Sequence, residues 1–91
     1  MKLFLIHAGF YDNDVSSGFY ESHTNYFVVA DSVKSAKSKA RLIKEYKDKK
    51  MHIDGIMEVN EVDGYKINLL PIDNENGSGV IKFSYNEVKE I

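Results

Sequence analysis

The sequence predicts an α+β domain: a mostly antiparallel sheet of about five strands with one helix packed on one face, in the order β-loop-β-α-β-β-β. Three observations carry this. Two short runs, Leu3–Ile6 and Asn25–Ala30, are apolar, β-branched or aromatic, as buried strands are. One stretch, from Val33 onward, places apolar residues three and four apart. The chain beyond Met51 alternates in polarity and then turns at Asp63-Gly64, the pattern of an antiparallel hairpin. Strand and helix segments are segregated rather than alternating, which disfavours a parallel α/β sheet. With 91 residues the chain is expected to be one domain, spanning residues 1–91.

Taken in order, Leu3–Ile6 reads as a strand buried on both faces, followed by His7, Ala8 and Gly9. Gly9–Thr24 reads as a loop rich in Asp, Asn, Ser and Gly, although it carries Phe10, Tyr11, Phe19 and Tyr20. Asn25–Ala30 is the second central strand. Asp31 or Ser32 caps the helix, a contribution of about 1 kcal/mol. Its stripe is Val33, Ala36, Ala40, Ile43 and Tyr46 or Lys47, narrow and rich in Ala, suited to close packing on a sheet. The helix is expected to end near Asp48–Lys50, where cations complement its dipole. In Met51–Glu61 the odd positions Met51, Ile53, Met57 and Val59 are apolar. The even positions His52, Asp54, Glu58 and Asn60 are polar, and Ile56 is the exception. A three-residue bulged turn at Val62-Asp63-Gly64 would pair Glu61 with Tyr65 and bring Val59 opposite Ile67 and Met57 opposite Leu69. Asp73–Gly79 reads as a looser turn, Val80–Tyr85 as a last strand and Asn86–Ile91 as a tail. One helix leaves one face of such a sheet uncovered, so that face is polar or meets a second subunit.

Composition narrows the classes. There is no Cys, so neither a disulfide scaffold nor a thiol nucleophile is available, and a reducing cytoplasm is the expected location. No apolar run approaches the roughly 18–20 residues of a membrane span, and Met1–His7 turns polar too soon for a signal peptide. The net charge of −2 conceals an uneven layout. Eight of the twelve basic residues fall within Lys34–Lys50, opposed there only by Glu45 and Asp48, which leaves this segment at +6 and the rest at −8.

Several short segments resemble one family in order and spacing. They are the opening Met1-Lys2-Leu3-Phe4-Leu5, the Glu21-Ser22-His23 before an aromatic strand, Met51-His52-Ile53-Asp54-Gly55, and Glu61-Val62-Asp63-Gly64-Tyr65. Together they are similar to the bacterial family catalogued as domain of unknown function 1543. The chain departs from that pattern at Thr24, where the family has Asp, and at Gly9-Phe10, where it has paired glycines. The resemblance implies a small α+β domain and brings no activity, cofactor or substrate with it.

Two places could carry function. The first is Glu21, His23, His52 and Asp54. Residues two apart on a strand share a face, so His52 and Asp54 share the polar face, and Glu21 and His23 do the same if they begin the second strand. Two imidazoles and two carboxylates suit a divalent metal, for which His23, His52 and Asp54 are candidate ligands, or general acid–base chemistry. Plain polar surface is the stronger expectation for each pair unless the two pairs meet in space. His7 lies on the face of Leu3 and Leu5 and is expected to be a core histidine bonded to backbone. Ser16, Ser17, Ser22 and Thr24 lie near His23 but form no nucleophile elbow, and Gly77-Ser78-Gly79 lacks the loop-to-helix context and Lys of a phosphate cradle.

The second place is the basic helix. Lys34, Lys37, Arg41 and Lys44, with Lys39 and Lys47, could neutralise phosphates, but one Arg and an inward Tyr46 offer little base recognition. Lys-rich faces are also ordinary solvated surface, so a nucleic-acid partner is the weaker expectation. The aromatics of Phe10–Tyr20 are expected to pack on the sheet, or failing that to form a homodimer interface. The leading expectation is a cytoplasmic binding or interaction domain that self-associates, with room for a small-molecule ligand and no membrane partner. The rival is a hydrolase-like or metal-dependent enzyme at Glu21, His23, His52 and Asp54.

Overall fold

Two nine-residue strands frame the computed structural model, which describes residues 1–73 and 79–91. β1 (Lys2–Phe10) and β2 (Ser22–Ala30) pair antiparallel without interruption, from Lys2 opposite Ala30 to Phe10 opposite Ser22. β3 (His52–Val59) pairs antiparallel with the other edge of β1, so the sheet order is β2-β1-β3. Between β2 and β3 lie α1 (Val33–Arg41) and α2 (Lys44–Asp48). A separate ribbon joins β4 (Glu61–Val62) to β5 (Tyr65–Lys66), and α3 (Tyr85–Glu90) follows. The α+β class and the antiparallel sheet stand. Among the described residues the main sheet has three strands rather than about five. No described helix is long and apolar enough to cross a membrane.

β1 alternates in burial. Phe4, Ile6, Ala8 and Phe10 face the helices and are buried, while Leu3 and Leu5 are half-buried and His7 is exposed on the opposite face. The strand is therefore covered on one face, not both, because α1 and α2 lie on the same side of it. Ala36 and Ala40 are fully buried against Phe4, Ile6 and Ala30, and their small side chains let α1 lie close to the sheet. Burying Phe4 and Ile6 contributes roughly 1.5–3 kcal/mol each. A second cluster joins Ala8, Phe10, Tyr46 and Met51, with Ile43 against it. Ser32 is the helix cap, accepting a hydrogen bond from the Ser35 N–H at 3.1 Å.

The expected single helix breaks at Leu42–Ile43. Ile43 is extended (φ −65°, ψ 130°), and the chain restarts as α2 so that Ile43 and Tyr46 both turn to the second cluster. Val33 is left largely exposed. α2 ends in a Schellman motif: the Met51 N–H donates to Tyr46 O and the Lys50 N–H to Lys47 O. Lys50 takes the left-handed position (φ 50°) that glycine usually fills.

The two strands flanking the first loop run longer than their local propensities suggest. Gly9, Phe10, Ser22, His23 and Thr24 all join the ladder, because each position of one strand meets a partner on the other. The loop shrinks to Tyr11–Glu21, with a 3₁₀ turn at Ser16–Gly18. Phe10 packs in the core, but Tyr11, Phe19 and Tyr20 are exposed, contrary to the expectation that this stretch packs on the sheet. Phe19 and Tyr20 meet edge to face instead.

β3 contains a bulge. His7 is opposite Gly55 and the next residue, Ala8, is opposite Ile53, so Asp54 is the extra residue. This explains Ile56. The bulge shifts the alternation by one, so Ile53 and Ile56 both pack on the core while Met57 and Val59 turn to the open face. The hairpin also differs from expectation. Glu61 pairs with Lys66 and Val62 with Tyr65 around a two-residue Asp63-Gly64 turn, both with positive φ (53° and 81°). That is a type I′ turn, whose twist matches paired strands. The expected bulged turn rested on matching Val59 to Ile67. The chain instead leaves the main sheet after Val59, which frees the ribbon from that constraint. Ile67 and Leu69 still line a hollow of about 220 Å³ with Leu3 and Val59.

Most of the expected turn at Asp73–Gly79 lies outside the described residues. Val80–Tyr85 is not a strand. Ser84 caps α3 through a capping box, accepting from the Glu87 N–H at 3.2 Å while the Glu87 carboxylate accepts from the Ser84 N–H at 3.4 Å.

Candidate metal centre on the open sheet face

The open face of the sheet divides in two along β1. At one end, Leu3 sits between Val29 and Val59, and Leu5 between Phe27 and Met57. Phe27 and Met57 are 69% and 60% exposed. At the other end, His7 sits between Asn25 and Gly55, and Gly9 between His23 and His52. The uninterrupted β1–β2 pairing carries His23 to this end, and Glu21 just precedes β2 on the same side. The bulge keeps His52 and Asp54 on the same face and moves Asp54 toward the centre.

The two residue pairs meet. His23 Nε2 lies 2.8 Å from Glu21 Oε1 and 3.0 Å from Asp54 Oδ2. His52 Nε2 lies 3.2 Å from Glu21 Oε1 and 3.1 Å from Asp54 Oδ1. Each imidazole nitrogen thus faces both carboxylates. A protonated Nε2 has one hydrogen to donate, so two hydrogens serve four contacts. Five atoms take part, because Asp54 turns Oδ2 to His23 and Oδ1 to His52, and a cation bound among them would stand in for the missing hydrogens. Tetrahedral Zn²⁺ sets its N and O ligands about 3.3–3.4 Å apart, so the cluster would open by a few tenths of an ångström to accept it.

Gly9 forms the floor. An added Cβ there would stand 2.6 Å from Asp54 Oδ2 and 2.7 Å from His52 Nε2, and closer still to Glu21 Oε1. Any side chain here would have to displace the cluster above it. The rim is solvent-accessible, with the four side chains 29–46% exposed. Burial disfavours the charged form of Asp54, but the hydrogen bond with Glu21 and the two imidazoles prevail, and its carboxyl is held below the ordinary range. The Tyr11 hydroxyl donates to Glu21 Oε2 at 3.2 Å; that bond and the Glu21 charge raise the phenol above its ordinary value.

His7 is not the backbone-bonded core histidine expected from its apolar neighbours. Its face is uncovered, its Nδ1 pairs with Asn25 Oδ1 at 2.8 Å, and its ring stacks on His23 at 4.8 Å and 6°. Sequence reading placed Glu21, His23, His52 and Asp54 on the right faces and missed His7, Gly9 and Tyr11. The available signal was Gly9 itself, since a glycine within a strand often marks a close approach.

The basic residues lie elsewhere, on the exposed sides of α1 and α2. The Lys39 ammonium donates to Val29 O, Lys44 pairs with Asp48, and Lys49 pairs with Asp12 and lies over the Phe10 ring. Lys34, Lys37 and Arg41 form no ion pair among the described residues. Tyr46 packs inward, as expected, and leaves no aromatic on the outer surface of these helices.

The model of a family described as Domain of Unknown Function (DUF1543) matches residues 18–69, more than half of the chain. The match takes in Glu21, His23, His52 and Asp54 and begins after His7 and Gly9. No curated protein and no solved structure matches the chain.

Proposed function

The chain belongs to the DUF1543 family, whose description assigns no activity, and from its own side chains we propose that it is a metal-binding domain. Glu21, His23, His52 and Asp54 hold a divalent ion of the Zn²⁺ or Mn²⁺ kind above Gly9. The observation that supports this is the meeting of two imidazole nitrogens and two carboxylates within 2.8–3.2 Å over a residue without a side chain. The solvent side of the site is open, as hydrolytic metal centres are, so metal-assisted hydrolysis is the reaction class the site suits. Equilibrium dialysis of metal-stripped protein against Zn²⁺ or Mn²⁺ tests the reading. At least one ion per chain should be retained, and His23→Ala and His52→Ala should each weaken retention by tenfold or more. Equal retention by the variants, or none by the parent, would overturn it.

A second reading rests on the other half of the same face. Phe27 and Met57 flank Leu5 and are exposed among the described residues, which favours self-association of a cytoplasmic protein through this surface. Light scattering should then give about twice 10.4 kDa at tens of micromolar protein, and Phe27→Ser should return the monomer. A parent chain that is monomeric under those conditions removes this reading.

A further inference from the structure

We infer that the centre takes a pair of divalent ions rather than one, bridged by Asp54, with His7 as a third imidazole ligand. This rests on the metal-binding reading above and deepens it. Two sets of ligand atoms lie within 4.8 Å of one another: His7, His23 and Asp54 form one, and Glu21, His52 and Asp54 the other. Asp54 is the member they share. Its two oxygens already face different imidazoles, Oδ2 toward His23 at 3.0 Å and Oδ1 toward His52 at 3.1 Å. A carboxylate bridging through both oxygens spans two ions about 3.5–4 Å apart. The bulge places that carboxylate between the two sets, as the one extra residue of β3.

His7 is prepared for the role. The Asn25 carboxamide oxygen accepts from its Nδ1 at 2.8 Å, which sets the hydrogen there and leaves Nε2 with its lone pair for a metal. The same bond fixes the orientation of the ring. The rings of His7 and His23 lie parallel with centroids 4.8 Å apart, so one of them must tilt for both to direct a nitrogen at one ion. Two divalent ions against two carboxylates leave positive charge at the centre. The pair therefore takes an anionic oxygen as its remaining ligand, a hydroxide or an oxygen of phosphate.

Stoichiometry decides this. Metal-stripped protein is titrated with Mn²⁺ by calorimetry, and the loaded protein is examined by electron paramagnetic resonance. Two ions per chain and a spin-coupled spectrum are expected for the parent. One ion and an isolated six-line spectrum are expected for His7→Gln, whose side chain is exposed and outside the core. One ion per chain in the parent, unchanged in His7→Gln, overturns the pair and leaves the single-ion site standing. No bound ion in the parent overturns both. The spectrum of the parent is an independent readout should the variant fold poorly.

Discussion

Replacing Gly9 by Ala separates a glycine kept for its backbone from one kept for the space above it. The backbone at Gly9 does not need glycine: positive φ among the glycines occurs at Gly18 and Gly64. In a strand interior, alanine in place of glycine is worth roughly 0.5–1 kcal/mol in favour of folding. Against this, the new Cβ would stand 2.6 and 2.7 Å from Asp54 Oδ2 and His52 Nε2, where ordinary contact begins at 3.4 Å, and nearer still to Glu21 Oε1. Three side-chain ends must each withdraw by at least 0.7 Å. They are the tips of rotatable side chains on an open face, so the withdrawal costs the fold about as much as alanine contributes. The metal-free variant should unfold within about 1 kcal/mol of the parent. Ligation is different, because metal–ligand distances tolerate only about 0.2 Å. Displacing two or three ligands should weaken binding at least 100-fold, or about 2.8 kcal/mol. Urea unfolding of the stripped proteins and calorimetric titration with Zn²⁺ give the two numbers. Parent-like affinity in Gly9→Ala would refute the floor, and a stability loss above about 2 kcal/mol would show that the three side chains cannot withdraw as argued.

Four further outcomes follow from the fold. Phe4→Ala removes a fully buried ring from the larger core cluster and should cost about 3–5 kcal/mol in urea unfolding; a loss under about 1 kcal/mol would contradict the packing. Lys50→Gly relieves a left-handed residue at the end of α2 and should raise stability by roughly 0.5–1 kcal/mol, seen as a higher melting temperature. Ser32→Ala removes the α1 cap and should cost about 1 kcal/mol by the same measurement. The Tyr26 phenol, half-buried and donating to Glu45, is pushed up to about 12, first by burial and then by that hydrogen bond. Its folded value exceeds its unfolded one of about 10, so its contribution is complete below about pH 10 and is lost as pH rises through about 12. Urea midpoints across that window should fall for the parent and fall less for Tyr26→Phe; identical slopes would remove Tyr26 as the cause.

Where local pattern decides structure, the residues showed it. Ala36, Ala40, Ile43 and Tyr46 form the helical stripe, and Ser32 is the cap, because three- and four-residue spacing and capping are short-range physics. The α3 capping box, Ser84 with Glu87, is equally legible as Ser-x-x-Glu, but the β-branched Val80–Ile81 beside it points to a strand. What propensity could not supply was pairing between distant segments. Nothing local extends β1 through Gly9 or starts β2 at Ser22, since the stabilising partner of each lies across the strand pair. The helix break at Ile43 has the same origin, for only the position of Phe10 and Met51 rewards it. At the hairpin the local signal decides: the long-range match of Val59 to Ile67 points to a bulged turn, and Asp63-Gly64 forms the two-residue turn its own residues favour.

The same distinction explains why the site looked like plain surface. His52 and Asp54 were visibly on one face, and Glu21 and His23 on another, but their meeting depends on three facts of pairing. β1 must be central, His23 and His52 must flank the same β1 residue, and Asp54 must be the extra residue of β3. A solvated sheet face requires none of the local irregularities found there. Glycine in a central strand weakens the sheet, and a bulge interrupts its ladder. Here both occur within one rung of each other, and both serve the same four side chains: one opens the space in which they meet, and the other turns Asp54 into it. Ordinary polar surface leaves that coincidence without a physical reason. A site that must bring two carboxylates within about 3 Å of two imidazoles requires both irregularities.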